Sequence, residues 1–226
     1  MADNTKKKIG SVCILLAVFI IYTLCVKFVD VSPIGPENSE VGFASINGPL
    51  HDVIGENEFF YDISKILGLF AFVVGGGFAL LALCQVISRK GIFKADADLY
   101  ALGIFYVLVG IAYVLFEVII INYRPVMSDE GLEASYPSSH ALLGMCIFAT
   151  AAMQIRNRIK NENTAKLISL ILYVLSGLTV ISRFISGVHW FTDIVGGVLL
   201  GILLIMIYVT IVSYISDIKT KGQIAE

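Results

Sequence analysis

The sequence predicts an all-α, polytopic membrane protein with six transmembrane helices, and three observations carry that prediction. Of the 226 residues, 57% are hydrophobic and 15% charged, whereas an ordinary soluble domain carries about a quarter of its residues as charges. The apolar residues fall in long uncharged runs, and a helix needs roughly 20 such residues to cross a bilayer. The lysines and arginines collect in alternate loops, which is the pattern of chains whose basic loops stay cytoplasmic.

Six runs qualify in order. The first, 9–26, follows Lys6, Lys7 and Lys8 and lacks a small-residue cleavage site, so it reads as a retained span. The second, 66–88, contains Gly75, Gly76 and Gly77, which would allow close helix approach in lipid. The third is 99–116. The fourth and fifth, 141–155 and 167–182, are short and would be completed by flanking residues that reach into a polar cavity. The sixth, 194–216, carries Gly197 and Gly201 as a small-residue packing pair. Cys13, Cys25, Cys84 and Cys146 all fall inside these runs without metal-ligand spacing and read as small packing residues.

Basic residues fix the expected orientation. Lys6, Lys7 and Lys8 precede the first run; Arg89, Lys90 and Lys94 follow the second; Arg156, Arg158, Lys160 and Lys166 separate the fourth and fifth; Lys219 and Lys221 follow the sixth. The loop 30–62 has no lysine or arginine and is acidic. Six spans with both termini cytoplasmic satisfy this arrangement, within a single domain over 1–226. The outer loop has turn signals at Pro33, Pro36 and Asn47-Gly48-Pro49, and its apolar stretches 41–46 and 59–63 would suit a membrane surface or a lid, or a plain connection. There is no internal repeat, low-complexity segment or nucleic-acid patch.

Three polar clusters break the apolar pattern, all on the expected outer side. Glu117 and Tyr123-Arg124-Pro125 end the third span, where proline disfavours further helix. Tyr136-Pro137-Ser138-Ser139-His140 opens the fourth, with Ser138 or Ser139 placed to cap a helix whose free N–H groups suit an anion. Ser182-Arg183, His189 and Asp193 link the fifth and sixth. Two arginines supply permanently charged forks for phosphate oxygens. His189 and Asp193 stand four apart, a spacing that lets a carboxylate hold one ring nitrogen and leave the other as nucleophile. His140 is then available as general acid. Each residue alone has a plainer reading: a packing histidine, an interfacial arginine, or an acid at a helix start. Together at membrane depth, where polar groups are costly, they point to function.

The spacing resembles that of the type 2 phosphatidic acid phosphatase (PAP2) superfamily, whose pattern is K-x6-R-P, P-S-G-H and S-R-x5-H-x3-D. The third part is complete in Ser182-Arg183, His189 and Asp193; the second reads Pro137-Ser138-Ser139-His140, with serine for glycine; the first keeps Arg124-Pro125 but has Glu117 in the lysine position. The motifs span 117–193. The resemblance implies that His189 is the nucleophile, Asp193 its partner and His140 the acid. It also implies that Arg124, Arg183 and Ser138 bind phosphate, with the Ser139 backbone able to donate as well, and that neither metal nor other cofactor is needed. Glu117 leaves three readings open: it orients Arg124 or Arg183, it adjusts substrate choice, or it weakens catalysis. The expected activity is hydrolysis of a lipid phosphate or pyrophosphate, such as undecaprenyl pyrophosphate, phosphatidylglycerophosphate or phosphatidic acid, at the outer face of the cell membrane. The expected partners are that substrate and membrane lipids. Transfer of the phosphoryl group to an acceptor other than water, and lipid-phosphate binding or transport without catalysis, are the alternatives.

Overall fold

A computed structural model describes residues 2–128 and 131–224, with the side chains of 5–128 and 131–218. The side chains of Lys219 and Lys221 lie outside the described residues.

Among the described residues the chain forms seven α-helices and no named strand: α1 (Ala2–Phe28), α2 (Ala44–Ile54), α3 (Glu58–Ser88), α4 (Ala97–Val118), α5 (Ser139–Arg158), α6 (Glu162–Ile185) and α7 (Phe191–Ile224). Every uncharged run of the sequence falls inside one of them. Asn57 caps α3 by accepting from the Phe60 N–H at 3.2 Å, and Asn161 caps α6 by accepting from the Thr164 N–H at 3.0 Å.

Five helices, α1, α3, α4, α6 and α7, are long and apolar enough to cross a membrane. The chain is a multi-pass membrane protein. α5 is not among those five, and its place explains why. It packs against α3, α4, α6 and α7, and Ala141, Leu142, Cys146, Phe148, Ala151 and Ala152 are buried in those contacts. A helix walled in by protein can carry the buried Thr150 and Gln154 provided they are bonded; Gln154 donates to the Tyr208 hydroxyl at 2.6 Å.

Small residues set the closest approaches. A Cβ on Gly144 would stand 2.6 Å from Thr179 of α6, and one on Gly197 would stand 2.8 Å from the Ser138 carbonyl oxygen. Gly201 meets Met145 at 3.2 Å. The expected packing role of Gly197 and Gly201 therefore holds. The triple glycine divides: a Cβ on Gly75 would meet Tyr106 of α4 at 3.6 Å and Ile147 of α5 at 3.8 Å, whereas nothing lies within 4 Å of one on Gly76 or Gly77, which face outward.

The two ends of the bundle differ chemically. At one end, Thr5 of α1 bonds Asp217 of α7 at 3.0 Å, Lys8 bonds Ser213, and Arg158 pairs with Asp98 at 2.8 Å. Arg89 pairs with Asp96 at 2.8 Å at the same end. The predicted site clusters gather at the other end.

The 30–62 segment is neither a free lid nor a bare connection. It forms an antiparallel bridge between Ser32 and Val41, a 3-10 turn at Pro36–Asn38, and then α2. Asn47 donates to Thr192 Oγ1 at 2.9 Å and accepts from its N–H at 3.2 Å. His51 lies 3.0 Å from the Gly187 carbonyl and packs on Trp190 with ring centres 5.3 Å apart. The segment thus braces the turn between α6 and α7. Gly187 is required in that turn, since its φ is +73° and a Cβ would fall 1.9 Å from the Gly55 oxygen.

Candidate active site

His189 lies in the turn before α7 and Asp193 in its first turn. They are not joined directly, as their spacing suggested, but through Ser135. The Ser135 hydroxyl donates to Asp193 Oδ2 at 2.5 Å and stands 3.0 Å from His189 Nδ1. Asp193 also accepts from the Asn122 amide at 3.2 Å and from the Trp190 N–H at 3.1 Å. The physical reason is local. His189 precedes the helix, so four residues of spacing do not bring it onto the helical face of Asp193, and the carboxylate turns back to cap its own first turn.

Ser135 and Asn122 reach Asp193 because the connection between α4 and α5 doubles back on itself. Tyr123 and Ala134 form an antiparallel bridge, and the Ser135 N–H donates to the Asn122 carbonyl at 2.9 Å. This places one hydroxyl and one amide side by side over the same carboxylate. Both residues are buried. The sequence reading missed them; the only hint was that Ser135 stands two residues before Pro137.

Next comes the start of α5. Ser138 sits at the N-cap position, but its side chain makes no cap bond, contrary to one expectation; its N–H instead donates to the Asp193 carbonyl at 3.0 Å, tying α5 to α7. Ser139 and His140 occupy the first turn, where backbone N–H groups have no intrahelical partner. The His140 ring fits against α3 because position 68 is glycine: a Cβ there would lie 3.2 Å from His140 Cδ2.

The arginines come from two further elements. Arg183, in the last turn of α6, is buried, donates to Ser64 Oγ at 3.3 Å, and stands 5.3 Å from the centre of the Tyr61 ring. Arg124 pairs with Glu133 at 2.8 Å and its N–H donates to the Glu133 carbonyl at 3.0 Å. The carboxylate holding Arg124 is therefore Glu133, a residue the sequence reading passed over. Glu117 lies beside Tyr113 and lines a narrow cavity with Ser135, Ser139 and His189. It stands at the site, while Glu133 reaches Arg124 across the hairpin-like turn and Ser64 accepts from Arg183.

His189 is held well below the ordinary histidine pKa, first by burial and then by the positive charges of Arg183 and Arg124. Its ring is neutral at neutral pH. Seven buried side-chain polar atoms among the described residues have no hydrogen-bond partner, and five of them belong here: Arg124 Nε, Ser138 Oγ, His140 Nδ1, Arg183 Nε and His189 Nε2. Buried polar groups are normally satisfied, so this concentration marks a cradle that a ligand completes. A cavity of about 410 Å³, lined in part by Tyr61, Arg124, Met127, Ser128 and Val188, adjoins it. The larger apolar grooves run along α4 and carry none of these residues.

Helix ends and the connections between them bring two arginines, two histidines and a buried carboxylate together at one end of a bundle of long apolar helices, a set of groups suited to a membrane phosphatase. The PAP2 superfamily model matches residues 75–217, and the chain belongs to that superfamily. Its fold is similar to that of the first transmembrane PAP2-type phosphatidylglycerolphosphate phosphatase from Bacillus subtilis, with a TM-score of 0.62 and 17% identity, covering 90% of this chain and 96% of that one. No curated protein matches the sequence.

Proposed function

We propose that this membrane phosphatase hydrolyses the phosphate ester or anhydride of a membrane lipid through a phosphohistidine on His189. The observation that carries the reading is the group of five partnerless buried atoms, His189 Nε2 among them. In the first step the Nε2 lone pair forms the N–P bond while the P–O bond to the lipid breaks, and His140 supplies a proton to the leaving oxygen. In the second step water attacks phosphorus as its proton passes to His140, which regains the proton it gave to the leaving oxygen; the N–P bond breaks, phosphate is released and the lone pair returns to His189 Nε2. Arg124, Arg183, Ser138 and the start of α5 hold the equatorial oxygens, whose charge is the main thing the site must stabilise. Glu117 and Glu133 place two carboxylates around this cradle and bias it toward less highly charged phosphoryl groups.

The site is assigned to the extracytoplasmic face of the cell membrane, with both termini cytoplasmic. Support comes from the α1 start and α7 end meeting at one end of the bundle, an arrangement that suits an even number of crossings with α5 as the sixth. The basic clusters at Arg89 and Arg158 lie at that same end. A head group at the interface would enter by the cavity beside Arg124, with Met127 and Val188 against its apolar part.

Phosphate release by purified protein across lipid phosphates and pyrophosphates tests the reading. Turnover of at least one such lipid, lost in His189→Ala, is expected. Absence of release from every lipid, or transfer of label to an added acceptor lipid in place of water, would contradict hydrolysis.

A further inference from the structure

The only proton on the Ser135 hydroxyl is committed. At 2.5 Å from Asp193 Oδ2, on a carboxylate that already receives N–H groups from Asn122 and Trp190, Ser135 is the donor. Its oxygen can then only accept from His189 Nδ1, 3.0 Å away. The His189 proton is therefore on Nδ1, and the lone pair is on Nε2, the atom left buried without a partner.

We propose that Ser135 is a positioning residue for the phosphatase reaction: it fixes the tautomer and orientation of His189 and links the ring to the Asp193 charge. The proposal rests on His189 being the nucleophile. When Nε2 takes the phosphoryl group, the ring keeps its Nδ1 proton and becomes cationic. That charge faces the Ser135 oxygen, whose own proton is polarised by Asp193, so the carboxylate acts through one hydroxyl with no net proton loss from the ring. Ser135 is anchored from the α4–α5 connection by its N–H bond to the Asn122 carbonyl at 2.9 Å, and Asn122 in turn donates to Asp193 Oδ1 at 3.2 Å. Two residues from the α4–α5 connection thus decide how a histidine and an aspartate from the α6–α7 connection meet.

Ser135→Ala, Ser135→Thr and His189→Ala variants test this with one lipid phosphate substrate. Partners that orient metal-bound imidazoles carry roughly 10- to 100-fold in activity; taking the same scale for an oriented nucleophile, kcat of Ser135→Ala should fall by about that factor with KM within about twofold. Ser135→Thr, which retains the hydroxyl, should recover most of the loss. In 15N spectra of histidine-labelled protein, His189 should change from the Nδ1–H form to a mixture of tautomers in Ser135→Ala. Wild-type kcat and an unchanged tautomer in Ser135→Ala, with His189→Ala inactive, would overturn the proposal and leave the nucleophile intact. Full activity in His189→Ala would instead remove the reading on which it rests.

Discussion

Replacing Gly197 by alanine should separate packing from chemistry at the α5–α7 contact. The added Cβ would stand 2.8 Å from the Ser138 carbonyl oxygen and 3.3 Å from the Ala141 Cβ. Comfortable C···O contacts begin near 3.3 Å, so the deficit is about 0.5 Å, and the obstacle is backbone that no rotamer change can clear. Overpacking of this kind costs about 1–3 kcal/mol, while alanine in place of a helical glycine returns up to about 1 kcal/mol. Gly77→Ala provides the reference, since it gains the same propensity and meets nothing within 4 Å. The difference between the two variants in thermal unfolding in detergent should therefore be about 1–3 kcal/mol against Gly197→Ala. Activity should fall too, because the shift moves Ser138 and Asp193 relative to each other. If a 1 Å misplacement costs about 100-fold, half of that costs on the order of 10-fold. Gly197→Ala matching Gly77→Ala in both stability and turnover would refute the reasoning.

Other perturbations have equally definite outcomes. Glu133→Gln frees the Arg124 fork from its 2.8 Å partner, and KM for a lipid phosphate should drop severalfold with kcat little changed; a higher KM in steady-state kinetics would show that Glu133 orients Arg124 for substrate. Asp98→Asn breaks the Arg158 pair at the opposite end of the bundle, so it should cost at most about 1 kcal/mol of stability and leave kcat unchanged. His189 must be neutral to attack, and its pKa is lowered well below the usual value. As pH falls through 6.5 its protonation should not yet inhibit, and the acid limb of kcat/KM should appear only at lower pH; an inflection at an ordinary histidine value assigned to His189 by mutation would contradict the burial argument.

Much of the fold was legible because a membrane span is a long-range compositional signal. All six apolar runs became helices, and the ends that meet are the ones the basic loops assign to one side. α5 was harder, since a helix enclosed by protein answers to its neighbours and not to lipid, and its Thr150 and Gln154 dilute the run. The site was legible as residue types at fixed spacings: His140, His189, Asp193, Arg124 and Arg183 gather at one end of the bundle. What spacing could not convey is who bonds to whom. Ser135, Asn122 and Glu133 reach the site through antiparallel pairing of the α4–α5 connection, which leaves no periodic trace. Local geometry also changed one expectation, as Asp193 caps its own helix and meets His189 through a hydroxyl, and it supplied in Glu133 a partner for Arg124 where the sequence offers Glu117, among other roles, as orienting Arg124 or Arg183.

Phosphohistidine trapping tests the central claim most directly. Protein mixed with a labelled lipid phosphate and quenched within a turnover should carry acid-labile label on a peptide containing His189, and the label should vanish in His189→Ala. In His140→Ala, label should still form but slowly, most slowly for substrates with poor leaving groups. Label that persists in His189→Ala and disappears in His140→Ala would reverse the two roles and contradict this account of the site.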